Sequence, residues 1–261
     1  MSPHHEKALA DIVADYKEDK TVIALLLTGS LAHGTAREFS DIDLTIIVAE
    51  EEFQQRKDAN NLTHWQDLSD YYQGGYLDVK FTSIEFLQKV AQHGSEPARY
   101  AFLDCNILFD HSNNIASLID SVTKYPTEEK AMNIKRFHAQ LEAWNWYCGE
   151  AIKHDNAYLL GHSVSNLILF GGRIVLALNE ILYPYHKWFI NTLTNAPIKP
   201  PHFIDNINSL LINKSEQDIH HFYSSIKQLL DDIELDENWP QQFMEDSELN
   251  WLNGFPPVPD L

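Results

Sequence analysis

The stretch from Leu25 to Val48 reads LLLTGSLAHGTAREFSDIDLTIIV. Two aspartates, Asp41 and Asp43, stand one residue apart at the head of its second apolar run. In a strand, positions two apart face the same way. Both carboxylates would then point at one spot, while Ile42 and Leu44 point into a core. Two anions held that close repel, and a shared cation is the simplest arrangement that relieves them. Mg2+ suits such a place, because it prefers a few carboxylates plus substrate phosphate oxygens to an all-protein cage. Upstream, the first apolar run ends in Gly29-Ser30. Small residues there let backbone N–H groups approach an anion closely, and a helix opening near Ser30 adds free donors and a favourable dipole end. Phosphate donors and a hard-cation site thus fall at the ends of neighbouring strands.

The elements that must position these groups follow from periodicity. Residues 4–19 read as a helix with Ala8, Leu9, Ile12, Val13 and Tyr16 on one face. Residues 21–28 form a buried strand, a short helix or turn follows near Ser30, and residues 42–48 form a second strand. EEEFQQRK is a surface turn or helix, and LTHWQDL fits neither period. After the Gly74-Gly75 turn, residues 76–81 (YLDVKF) alternate as a strand does. Ser83 is placed to cap a helix running to about His93, and residues 106–109 form another strand. Beyond Tyr125-Pro126 only helical periodicity is found, in segments 128–153, 157–179, 186–195, 202–212 and 215–233. The tail FPPVPDL reads as irregular. The fold expected is α+β: a small mixed sheet with flanking helices over residues 1–125, then an all-α bundle over residues 126–261.

Bulk properties narrow the partners. The chain has 261 residues and a net charge of -19. No Lys/Arg stripe is present, so a long nucleic acid is not the expected substrate, since neutralising phosphates supplies most of such affinity. The acid excess reads either as a field favouring a cationic small molecule or simply as a solubilising surface. No 18-residue apolar run is evident, so no membrane span is expected. The polar N-terminus lacks the apolar centre of a signal peptide, and a cytoplasmic protein is expected. The two cysteines, Cys105 and Cys148, lie in apolar or aromatic contexts and read as buried free thiols. The 13 histidines show no metal-ligand spacing; His4-His5 and His220-His221 are adjacent pairs. Neither a Gly-x-x-x-x-Gly-Lys loop nor a Gly-x-Ser-x-Gly elbow occurs.

Gly29-Ser30, ten further residues, then Asp41-Ile42-Asp43 resembles the signature of the polymerase-β-type nucleotidyltransferase superfamily. The SDIDL run, with Gly34-Thr35, is similar to small bacterial members that modify antibiotics such as aminoglycosides and lincosamides. YPYHKW (183–188) is similar to a stretch of uncharacterised bacterial nucleotidyltransferases. The resemblance implies a nucleotidyltransferase domain followed by a helical domain, ATP or another nucleoside triphosphate as donor, and Mg2+, two ions in the fullest case. It assigns Asp41 and Asp43 to metal binding and calls for a third acid on a later strand. Asp78 in GGYLDVKF is the candidate, facing away from Leu77 and Val79 on the side of Tyr76 and Lys80. The family lets that acid bind metal, act as general base, or both. Otherwise Asp78 and Lys80 are the solvent face of an edge strand.

Pyrophosphate needs a cation, and Lys187 and Arg173 are the candidates. Each has an equal bland reading: a surface lysine, and a structural ion pair of Arg173, for instance with Glu180. His33, in the Gly-Ser loop where many relatives have Arg, reads as exposed more readily than as a phosphate ligand. Trp144, Trp146 and Tyr147 read as bundle packing before any wall for a base. The leading expectation is transfer of AMP, or another nucleoside monophosphate, to a hydroxyl of a small, cationic acceptor in the cleft between the halves. Two alternatives keep part of it: adenylylation of a protein in a toxin-neutralising pair, or a nucleotide-binding module without catalysis. A nucleotide-sugar glycosyltransferase shares Asp-x-Asp, yet Gly-Ser is not part of its pattern. The sequence sets no oligomeric state.

Overall fold

Parity along the strands decides the first layer of structure. The computed structural model describes residues 1–235 and 238–254. The chain divides into two units, Met1–Lys124 and Tyr125–Leu261. In the first, the order is α1 (Pro3–Glu18), β1 (Val22–Thr28), α2 (Gly29–Ala32), β2 (Ile42–Val48), α3 (Glu50–Asp58) and β3 (Thr63–Asp67), followed by β4 (Tyr76–Ser83), α4 (Ile84–His93), α5 (Glu96–Tyr100), β5 (Asn106–Asp110) and α6 (Ile115–Val122). The five strands make one sheet in the order β3-β4-β2-β1-β5. β2 and β4 run parallel, and the other neighbours are antiparallel.

Each sheet face has its own core. Ile42, Leu44, Ile46 and Val48 of β2 pack with Leu25, Leu27, Leu77 and Val79, under Ala8, Leu9 and Ile12 of α1. Ala24, Leu26 and Ile47 point the other way and meet Leu87 and Val90 of α4 and Ile115 and Val122 of α6. Asp43 lies on this second face, two pleats from Ile47. It and Asp78 are only partly exposed, at the strand ends beyond the apolar cluster. Ser83 caps α4 through its Oγ, which accepts from the Phe86 N–H at 3.1 Å.

Three readings of the sequence change here. LTHWQDL contains β3, whose five residues are all exposed, so no apolar face marked it as a strand. Two helices, α5 and α6, fill residues to which no element had been assigned. Lastly, one helix of the second unit, Ala157–Leu178, is long and apolar enough to cross a membrane by length and composition, with mean hydropathy 1.4. Half of that apolar window is buried within the unit, and Val164, Leu167, Ile168 and Val175 belong to its core. A core helix of a bundle passes the same test.

The second unit consists of α7 (Lys130–Lys153), α8 (Ala157–Leu178), α9 (Phe189–Asn195), α10 (Phe203–Asn213), α11 (Glu216–Leu229) and the short α12 (Trp239–Phe243). Leu141 and Cys148 of α7 meet Leu167 and Val175 of α8, Phe203 and Leu210 of α10, and Phe222 and Ile226 of α11. Trp144 packs partly buried against this core, whereas Trp146 is largely exposed. Both cysteines are free, and burial pushes their thiols up, Cys105 to about 11 and Cys148 to about 12. The segment FPPVPDL lies outside the described residues.

Candidate active site

Gly29 follows β1 with φ +65°, a region that L side chains rarely adopt. A Cβ there would overlap the carboxylate of Asp43. Glycine is therefore required twice, by backbone conformation and by the acid lying against its Cα. Asp43 is the register partner of Thr28 on β1, and the Thr28 hydroxyl donates to the Asp43 carbonyl at 3.3 Å. The following residues close into the single turn α2. The His33 N–H reaches the Gly29 carbonyl at 3.1 Å, and the Thr35 N–H reaches that of Ser30 at 3.0 Å. Ser30 Oγ is buried and, among the described residues, has no hydrogen-bond partner. An orphaned hydroxyl in a tight turn is a donor held ready for an oxygen.

On the other side of β2, Asp43 is the register partner of Asp78 on β4, and Ile42 that of Leu77. Parallel neighbours lie about 4.8 Å apart, and partners in register share a face. The sheet pairing therefore sets Asp43 beside Asp78. Asp41, one pleat before Asp43, is engaged by Tyr76. The Tyr76 phenol donates to the Asp41 carboxylate, and this bond, then burial, then the charges of Asp41, Asp43 and Asp78 push its pKa up to about 12. Tyr76 stays a neutral donor within a nest of carboxylates. Lys80 is exposed two residues past Asp78, with Thr45 as its register partner.

The loop that delivers Asp41 is clamped from behind. His5 Nε2 donates to the Ser40 carbonyl at 2.9 Å, and the Tyr72 hydroxyl donates to the same oxygen at 2.9 Å. His4 Nε2 donates to the Glu38 carbonyl at 2.7 Å. The rings of His4 and His5 pack on Tyr72, with centroids 4.7 and 4.8 Å away. The adjacent histidines thus fix the backbone just before the first acid. The sequence pattern gives them no role, because their partners lie 34 and 35 residues away. His33 is also not the exposed loop residue expected. Its side chain is 12% exposed, with Nδ1 3.3 Å from Asp104 and the ring stacked on Tyr100.

Gly29, Ser30, Asp41, Asp43 and Asp78 are thus neighbours in the first unit. Lys187 and Arg173 belong to the second. Lys187 is exposed in a short 3-10 turn, its ammonium 5.7 Å from the Trp188 ring centre. The Arg173 guanidinium lies over both Phe137 and Tyr183, 4.3 Å from each ring centre. Glu180, considered as its partner, pairs with Lys130 at 2.9 Å.

A divalent cation fits this set in donor chemistry, since carboxylate oxygens are hard ligands. Among the described residues, no three His, Cys, Asp or Glu side chains already converge at ligating distance. Asp41, turned to Tyr76, would have to exchange that hydrogen bond for a metal.

The comparisons with known proteins bear on this half of the chain. Residues 10–95 match the family model described as polymerase beta, nucleotidyltransferase. That segment runs from within α1 to beyond α4 and contains Gly29, Ser30 and all three acids. The chain therefore carries a polymerase-β-type nucleotidyltransferase domain over these residues. The family generally uses nucleoside triphosphate donors and divalent metals. No curated protein matches the chain. Among solved structures, a nucleotidyltransferase-like protein from Exiguobacterium sibiricum 255-15 is similar at 12% identity and a TM-score of 0.47, over 97% of this chain and 81% of that one.

Proposed function

We propose that this protein transfers AMP from ATP, or the corresponding group from another nucleoside triphosphate, to a hydroxyl of a small cationic acceptor such as an aminoglycoside, releasing pyrophosphate. The observation that carries the reading is the row Thr28-Asp43-Asp78 across β1, β2 and β4, with the Gly29-Ser30 turn against Asp43. Ser30 Oγ and the backbone of the turn donate to phosphate oxygens. Asp41, Asp43 and Asp78 would hold Mg2+. A bound divalent ion there supplies neutralisation of the charge on the transferring and leaving phosphates. Asp78 accepts the proton of the acceptor hydroxyl as that oxygen attacks the α-phosphorus, and the bond to the pyrophosphate oxygen breaks. Lys80 adds a positive charge beside the acids. A net charge of -19 suits a polycationic acceptor, and a cytoplasmic place of action accords with an ATP donor.

One observation favours a second reading. The hold of Tyr76 on Asp41, and the lack of three ligands already convergent among the described residues, fit a nucleotide-binding module that has lost catalysis. Incubation with labelled ATP, Mg2+ and a panel of aminoglycosides and lincosamides separates the two. Transfer of label to an acceptor with release of pyrophosphate supports the first; bound but unconsumed ATP supports the second. Label on a protein instead would point to protein adenylylation.

A further inference from the structure

Trp65 stands apart from the buried residues of the sheet. It sits on β3, the edge strand, and is 62% exposed. Its register partner on β4 is Asp78. Partners in an antiparallel pair share a face. The row across the acid face therefore continues as Thr28, Asp43, Asp78, Trp65. The indole is not folded away. It stacks on Tyr76, with centroids 6.2 Å apart and planes at 29°. Tyr76 is in turn tied to Asp41. An exposed tryptophan on a strand with no buried residue contributes little to the core, but a ring fixed by its neighbour makes a rigid surface beside the acids.

We propose that Trp65 and Tyr76 form the platform on which the acceptor lies, and that they select a saturated ring carrying ammonium groups. This rests on the reading of Asp41, Asp43 and Asp78 as the transfer site. Polarity along the row supports it. The phosphate turn Gly29-Ser30 extends from β1, on one side of Asp43. A hydroxyl that gives its proton to Asp78 arrives from the other side, where β3 stands. Aromatic faces attract ammonium groups, and tryptophan does so best. Asp67, the register partner of Tyr76, adds a carboxylate at the same edge. An anionic acceptor would meet Asp67, Asp78 and Asp41 together and be repelled. The C–H face of a saturated ring lies flat on indole, while its amino groups reach the carboxylates around it.

The test is calorimetric titration of the full chain, first with Mg2+ and an ATP analogue uncleavable between the α and β phosphates, then with kanamycin, neomycin and spectinomycin. Wild type, Trp65→Ala and Trp65→Phe are compared, with near-UV circular dichroism to check folding. The expected result is binding of at least one drug, weakened roughly tenfold in W65A and by less than about threefold in W65F, where a ring remains. The nucleotide analogue should bind W65A within about twofold of wild type, because the indole lies on the acceptor side. Equal drug affinity in W65A and wild type would overturn the platform, as would wild type binding none of the three drugs with nucleotide bound. Failure of wild type to bind the analogue would strike the transfer site itself, and the platform with it.

Discussion

Asp43 and Asp78 are register partners on the parallel strands β2 and β4, and the only residue type tolerated against the Asp43 carboxylate is the glycine at position 29. The sheet, not a loop, sets the spacing of these acids. Seven consecutive pairs, from Ile42-Leu77 to Val48-Ser83, lock the register. A slip of one residue would turn every apolar side chain of β4 to the wrong face. If Asp78 is the proton acceptor, Asp78→Asn keeps the pairing and loses the base. Transfer should then fall by roughly 10²–10⁴-fold in kcat. Thermal unfolding should stay within about 1 kcal/mol of wild type, as for a substitution on a partly exposed face. A proportional loss of stability would instead make Asp78 a structural residue.

Gly29→Ala tests the turn. The new Cβ meets the Asp43 carboxylate, in a backbone region that costs a non-glycine residue about 1–3 kcal/mol. Chemical denaturation should show a loss of at least that size, and transfer should fall with it because Asp43 is displaced. Unchanged stability would mean that the turn relaxes freely and does not position the acid.

Acid sensitivity should centre on His5. Burial, chiefly, holds its pKa below the ordinary 6.5, against the opposing bond to the Ser40 carbonyl and with help from His4. The unfolded chain binds this proton more readily than the folded one, so stability rises with pH between the depressed folded value and 6.5. Acidifying from pH 7 toward 5 should lower the melting temperature, and His5→Gln should flatten that slope. An identical slope in the variant would remove His5 as its source.

The second unit carries its own titration. Glu142 accepts from Tyr223 at 2.8 Å and from Lys227 at 2.6 Å, and it lies 2.9 Å from His138. Despite burial, these hydrogen bonds bring its carboxyl down to about 2 from an ordinary 4.5. Its stabilising effect is full above pH 4.5 and is lost as pH falls toward 2. Glu142→Gln leaves Lys227 and His138 without their anion and should destabilise the protein by about 3–5 kcal/mol at neutral pH. A loss under 1 kcal/mol in urea unfolding would show the network to be dispensable.

Parity made much of the fold legible. Ile42, Leu44, Leu77 and Val79 alternate with polar neighbours, and that pattern alone marks β2 and β4 and the shared face of Asp41 with Asp43 and of Tyr76 with Asp78. Other features were hidden for physical reasons. β3 has no buried residue to mark it, so the exposed Trp65 beside Asp78 could not be placed. The bond from Tyr76 to Asp41 depends on which strands pair, which no local pattern records. The same holds for the grip of His5 and Tyr72 on the Ser40 carbonyl. Arg173 reads as a charge in need of an anion, whereas two aromatic rings hold much of its guanidinium.

The proposed transfer depends first on Asp41 and Asp43 holding the divalent ion. The most direct measurement is Mg2+-dependent pyrophosphate release from ATP, with an acceptor from the panel, in wild type, Asp41→Asn and Asp43→Asn. Release by wild type that stops on chelation and falls at least about a hundredfold in both folded variants is the predicted result. Release at the wild-type rate in either variant would contradict it.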